Sequence, residues 1–132
     1  MPLPITSATA AAVALLLLIL AIQTVRQRLR TKQAFGDGDN PALVSAIRSH
    51  GNLAEHAPIV LIMLGLLENA GANPTILTCV AAVFVAGRIS HAIGLHQPSE
   101  PGRAPLARQI GVVITWLAMF GLAGHILFKV FA

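Results

Sequence analysis

The sequence predicts an all-α fold: an integral membrane four-helix bundle built as one domain over residues 1–132. Three observations carry this. The chain is 55% hydrophobic and only 11% charged, with a mean hydropathy of +0.75, a composition of membrane-spanning helices rather than of a soluble domain. It contains four apolar runs, each near the roughly 20 residues that cross a bilayer as a helix. Short segments rich in Gly, Pro and Asn separate them, and two of these end in Asn-Pro, at 40–41 and 73–74. That dipeptide supplies an N-capping side chain followed by a first helical residue whose missing amide is harmless.

Helix 1 is expected over 4–31. Residues 1–24 carry no charged side chain, and 8–22 are almost unbroken Ala, Leu, Val and Ile. A signal peptide would place basic residues before its apolar core. Here Arg26, Arg28, Arg30 and Lys32 follow it, which predicts a retained span with its C-terminal end in the cytoplasm. Phe35 to Pro41 is a loop, and helix 2 is expected over 41–69. Pro58 lies inside it, frees the carbonyl of Ala54 and predicts a kink. Helix 3, expected over 74–95, is apolar up to Gly87 and then polar at Arg88, Ser90 and His91. Residues 96–105 hold three prolines and a glycine, which excludes a regular element there. Helix 4 follows over 105–131.

Charge sets the orientation. Loop 1 carries four cations and loop 3 carries Arg103, whereas loop 2 carries no Lys or Arg. Loops 1 and 3 should therefore be cytoplasmic. Eight of the nine Lys and Arg residues then fall in the cytoplasmic half, because Arg48, Arg88 and Arg108 sit near that end of their helices. The formal charge of +4 is thus a matter of topology, and no nucleic-acid partner is expected.

Arg48, Asn52 and Glu55 stand at i, i+4 and i+7 and share one helix face. Arg88 and His91, at i and i+3, share another. Arginine offers a planar fork for carboxylates, Glu55 can hold an ammonium group or brace an arginine, and Asn52 both donates and accepts. This set suits a small soluble ligand with carboxylates and an amine, such as a short peptide. The alternative is ionic glue, with Glu55 pairing with Arg48 or Arg88. His50 and His56, six residues apart, do not share a face, so no metal site is expected. Cys79, alone in an apolar run, reads as a small core residue. Trp116 and the phenylalanines suit packing or lipid contact, and Gly121-x-x-Gly124 would allow a close helix approach.

In these residues the chain resembles the MAPEG family, the membrane-associated proteins in eicosanoid and glutathione metabolism. The pattern Arg48-x-x-x-Asn52-x-x-Glu55-x-x-Pro58 is similar to the family signature, and Gly87-Arg88-Ile-Ser-His91 to a second block. The basic end of helix 1 before Ala34-Phe35, and Ala104-Pro105 with Arg108, resemble two weaker ones. The Gly36-Asp-Gly38 loop is similar to the bacterial branch, which implies a multi-pass protein of the bacterial inner membrane. The resemblance implies a homotrimer with glutathione as co-substrate, bound between subunits on the cytoplasmic side. By position it implies that Arg48, Asn52, Glu55, Arg88 and His91 contact or brace the peptide, joined by Arg28 or Arg30. Arg108 matches the arginine that stabilises the glutathione thiolate, the catalytic role. Leu95 stands where several eicosanoid-metabolising members carry tyrosine, and Gly51 where some have a second basic residue.

The expected activity is a glutathione-dependent transferase or peroxidase acting on lipophilic electrophiles dissolved in the bilayer. The alternative is a non-catalytic binding protein using the same intersubunit cleft. A small proton-coupled exporter is disfavoured, because helix 1 lacks the deep carboxylate that such a transporter needs.

Overall fold

The computed structural model describes residues 1–98 and 102–131, so residues 99–101 of the third loop lie outside the described residues. Four helices follow in order: α1 (Pro4–Thr31), α2 (Pro41–Asn69), α3 (Pro74–Leu95) and α4 (Leu106–Phe131). All four are long and apolar enough to cross a membrane. The shortest has 22 residues, about 33 Å at 1.5 Å per residue, against a hydrocarbon core of about 30 Å.

Local chemistry explains the boundaries. Asn40 accepts hydrogen bonds from the amides of Ala42 and Leu43, and Asn73 from those of Thr75 and Ile76, so both Asn-Pro pairs cap their helices. Pro105 stands just before α4, and its carbonyl accepts the amide of Gln109. Lys32 ends α1 with a left-handed φ of 55°, and Gly36 and Gly38 turn the loop with φ of 66° and 56°. The α2 helix runs unbroken through Pro58.

The start of α1 has no local cap, since Leu3 offers no side-chain acceptor. Its orphan amides are satisfied from another helix: Glu68 of α2 accepts the amides of Ile5 and Thr6, each at 2.8 Å, and the Thr6 hydroxyl at 2.7 Å. A carboxylate is also favourable at the positive end of a helix dipole. At the same end of the bundle, Lys129 donates to the carbonyl of Ala70 at 3.1 Å.

The most deeply buried core side chains, Leu43, Val60, Leu64, Leu67, Leu77 and Phe84, come from α2 and α3, and Val13 and Leu20 of α1 and Ala118 and Leu122 of α4 complete the core. The tightest packing joins α3 to α4, and glycines permit it. A Cβ added at Gly94 would strike the backbone of Arg108, and one at Gly111 would lie 2.5 Å from the Gly87 carbonyl. Gly121 and Gly124 have nothing within 4 Å of such a Cβ, so the close approach expected of them does not occur within the subunit. Cys79 is exposed rather than in the core, because it lies on the outer face of α3. Trp116, Phe120 and Phe128 are exposed as well, as side chains facing lipid or a neighbouring copy are.

Candidate functional site

The ends of four helices meet at one end of the bundle: the last turns of α1 and α3 and the first turns of α2 and α4. Antiparallel connectivity requires this, and it brings 48–56 of α2, 88–91 of α3 and the start of α4 together, whereas Thr24 of α1 already meets Ala46, so residues 26–32 lie further out.

Arg88 is the centre of the cluster, only 3% exposed. One terminal nitrogen, Nη1, donates to Oδ1 of Asn52 on α2. The other, Nη2, donates to the carbonyl of Gly111 on α4 at 2.9 Å. Its Nε is buried without a partner among the described residues. The guanidinium therefore joins three helices, because a buried cation must find acceptors wherever the packing offers them. The fork expected to face a ligand carboxylate is instead closed on Asn52 and Gly111.

His91, one turn further along α3, is 5% exposed, and its backbone and Cβ lie against Gly111. Arg88 lies one turn away on the same helix, and the contact of Gly94 with the Arg108 backbone brings the start of α4 to this end of α3. His56 turns its Nδ1 back to the Asn52 carbonyl at 2.8 Å. Arg48 and Glu55 form a loose pair at 3.9 Å and are 59% and 55% exposed. Glu55 is thus not buried glue and does not reach Arg88. Arg108 projects from the first turn of α4 and is exposed, its backbone fixed by contact with Gly94.

Helix α1 does not join this cluster within one subunit. Nη1 of Arg28 donates to the carbonyls of Gln33, Ala34 and Gly36 at 3.0–3.3 Å and so holds loop 1 in shape. Arg30 is exposed and lies more than a turn beyond Thr24, which meets Ala46 of α2. The structure therefore brings Arg48, Asn52, Glu55, Arg88, His91 and Arg108 together and leaves Arg28 and Arg30 apart. Among the described residues no group of three His, Cys, Asp or Glu is placed to hold a metal.

Gly94 and Gly111, which have no role in the motifs above, let α4 approach closely enough for the Gly111 carbonyl to receive Arg88. The signal was present: Gly87, Ser90 and Gly94 lie at i, i+3 and i+7, a small-residue face, and Ser90 donates its hydroxyl to the Ala107 carbonyl at 2.9 Å.

Chemically, the exposed rim of the cluster offers two arginine forks and one carboxylate above a buried, hydrogen-bonded floor. Among the described residues, the grooves between α1 and α3 and between α3 and α4 are lined by other side chains. The cluster opens on the subunit's outer surface.

A sequence model of the MAPEG family matches residues 6–128. The inner membrane protein YecN of Escherichia coli strain K12, and its counterpart in strain O6:H1 CFT073, are each 36% identical over 95 residues. The match covers 72% of this chain and 69% of each relative. No solved structure matches.

Proposed function

The chain belongs to the MAPEG family, and from that premise we propose that it is a glutathione-dependent transferase or peroxidase of the bacterial inner membrane, working on lipophilic electrophiles. The observation that carries this reading is one end of the bundle where exposed Arg48, Glu55 and Arg108 stand over buried Arg88 and His91. Glutathione has the complementary charges, with two carboxylates, one ammonium and an ionisable thiol. Arg48 would hold a carboxylate through its fork, and Glu55 would take the ammonium. Asn52, Arg88 and His91 would form the floor that keeps both in place. Arg108 and the N-terminus of α4 would sit beside the sulfur and favour its thiolate form. The thiolate then attacks the electrophilic carbon, a C–S bond forms, the leaving group departs with its electron pair, and the thiol proton goes to water.

A patch open on one side needs a second wall, which supports a homotrimer with sites between subunits. A contact from Arg30 would have to cross from a neighbouring copy. Closure of Arg88 on Asn52 and Gly111 favours a second reading, a binding protein without turnover, because it withdraws one fork from the ligand. Purified protein given glutathione and 1-chloro-2,4-dinitrobenzene separates the two. Release of chloride with appearance of the coloured thioether supports the enzyme, and saturable glutathione binding without turnover supports the binder.

A further inference from the structure

The groove between α1 and α3, with Gln23 and Arg26 toward its end, carries chemistry that the glutathione reading does not use. Between α1 and α3 runs a groove of about 420 Å³, walled by Leu16, Ile19, Ile89 and Ile93, with Gln23 and His96 at its mouth. A second groove of about 620 Å³ continues along the same pair of helices toward the opposite membrane face and shares Ile89. The two form an apolar trough shaped for an extended chain rather than a compact molecule.

The charge at its open end is specific in direction. At 100° per residue, Arg26 and Arg30 lie within about 60° of Gln23 on the helix surface. They therefore continue the face of α1 that walls the groove, and both are exposed. Arg26 stands about 4.5 Å and Arg30 about 10 Å beyond Gln23 along the axis. The headgroup layer is about 5–8 Å thick on each side of the hydrocarbon. About 20 helical residues counted from Pro4 cross that hydrocarbon and end near Gln23, which would set the guanidinium groups at phosphate level and the groove at acyl-chain level. Cations serving topology alone could occupy any face of the helix. These two share the face of the groove.

We propose that the α1–α3 trough is a binding site for one anionic phospholipid of the surrounding bilayer. An acyl chain lies along Leu16, Ile19, Ile89 and Ile93, and the phosphate is held by Arg26, with Arg30 behind it and Gln23 at the glycerol level. Basic pockets between membrane helices recognise anionic headgroups in this way.

The test uses the full chain reconstituted in phosphatidylcholine vesicles containing a trace of spin-labelled phosphatidylglycerol or spin-labelled phosphatidylcholine. Spin resonance reads the fraction of label immobilised on the protein. The wild type should favour phosphatidylglycerol by about fivefold or more, the preference expected for one arginine near an anionic phosphate. Arg26→Gln should bring that ratio close to one, whereas Arg103→Gln in loop 3 should leave it intact. Ile19→Trp, which fills the groove at an exposed position, should reduce immobilisation of both lipids. The proposal fails if the two labels bind equally, if Arg26→Gln keeps the preference, or if Ile19→Trp binds as the wild type does. It also fails if Ile93→Cys, placed in a Cys79→Ser chain, cross-links between copies in native membranes, because a second copy would then fill the trough.

Discussion

Glu55 and Arg48 keep more than half of their side-chain surface exposed at a separation of 3.9 Å, so their attraction contributes at most about 1 kcal/mol to folding. Glu55→Gln should therefore leave the thermal midpoint nearly unchanged. Glutathione affinity should fall by roughly 2 kcal/mol, the low end for loss of a charged hydrogen-bonded contact. Calorimetry and thermal unfolding on the same sample read the two effects separately. Asn52 is the opposite case. Asn52→Ala removes the acceptor of a guanidinium that is buried, and leaving a buried charged donor unsatisfied costs about 1–3 kcal/mol or more. Its thermal midpoint should fall clearly even without ligand. Arg108→Ala tests chemistry, since the side chain is exposed and bonded to nothing among the described residues. Turnover should drop far more than binding, together with the ultraviolet absorbance of the bound thiolate near neutral pH. Equal turnover and equal absorbance would leave Arg108 as a headgroup anchor.

Between elements, the α3–α4 seam decides the geometry of the site. Gly94 lies where a Cβ would meet the Arg108 backbone, which cannot swing aside as a side chain can. Gly94→Ala should destabilise by about 1–3 kcal/mol through overpacking and displace Arg108, so activity falls with stability. Gly121→Ala meets nothing and should be neutral or stabilising by about 0.5–1 kcal/mol, the helix preference of Ala over Gly. Thermal unfolding of the pair in one detergent makes the comparison. At the opposite end, Glu68 serves α1 as a cap borrowed from α2. A spacing of 63 residues hides such a cap from any local pattern search, which is why the sequence reading gave Glu68 no role.

For the whole molecule, the distribution of Lys and Arg predicts that loops 1 and 3 face the cytoplasm. Labelling with an impermeant maleimide tests this, using Asp37→Cys and Ala70→Cys in a Cys79→Ser chain. Both positions are exposed, and neither has the left-handed backbone of Gly38 or Gly71. In intact cells residue 70 should react and residue 37 should not, and the reverse pattern would invert the orientation.

Hydropathy, the two Asn-Pro starts and the spacing of Arg48, Asn52 and Glu55 determined by themselves that four helices cross a membrane and that cations gather at one end. These are local or one-dimensional properties: span length follows from the bilayer, a cap from two adjacent residues, and a shared face from helical periodicity. Only the tertiary structure decided which cations are available. Arg88, read as a fork for a ligand, is consumed by Asn52 and the Gly111 carbonyl. Arg28 is consumed by loop 1, and Cys79 lies outside the core. A hydrogen-bond partner is chosen by distance after folding, so a residue type states what a side chain can bind, and packing states whether something already holds it.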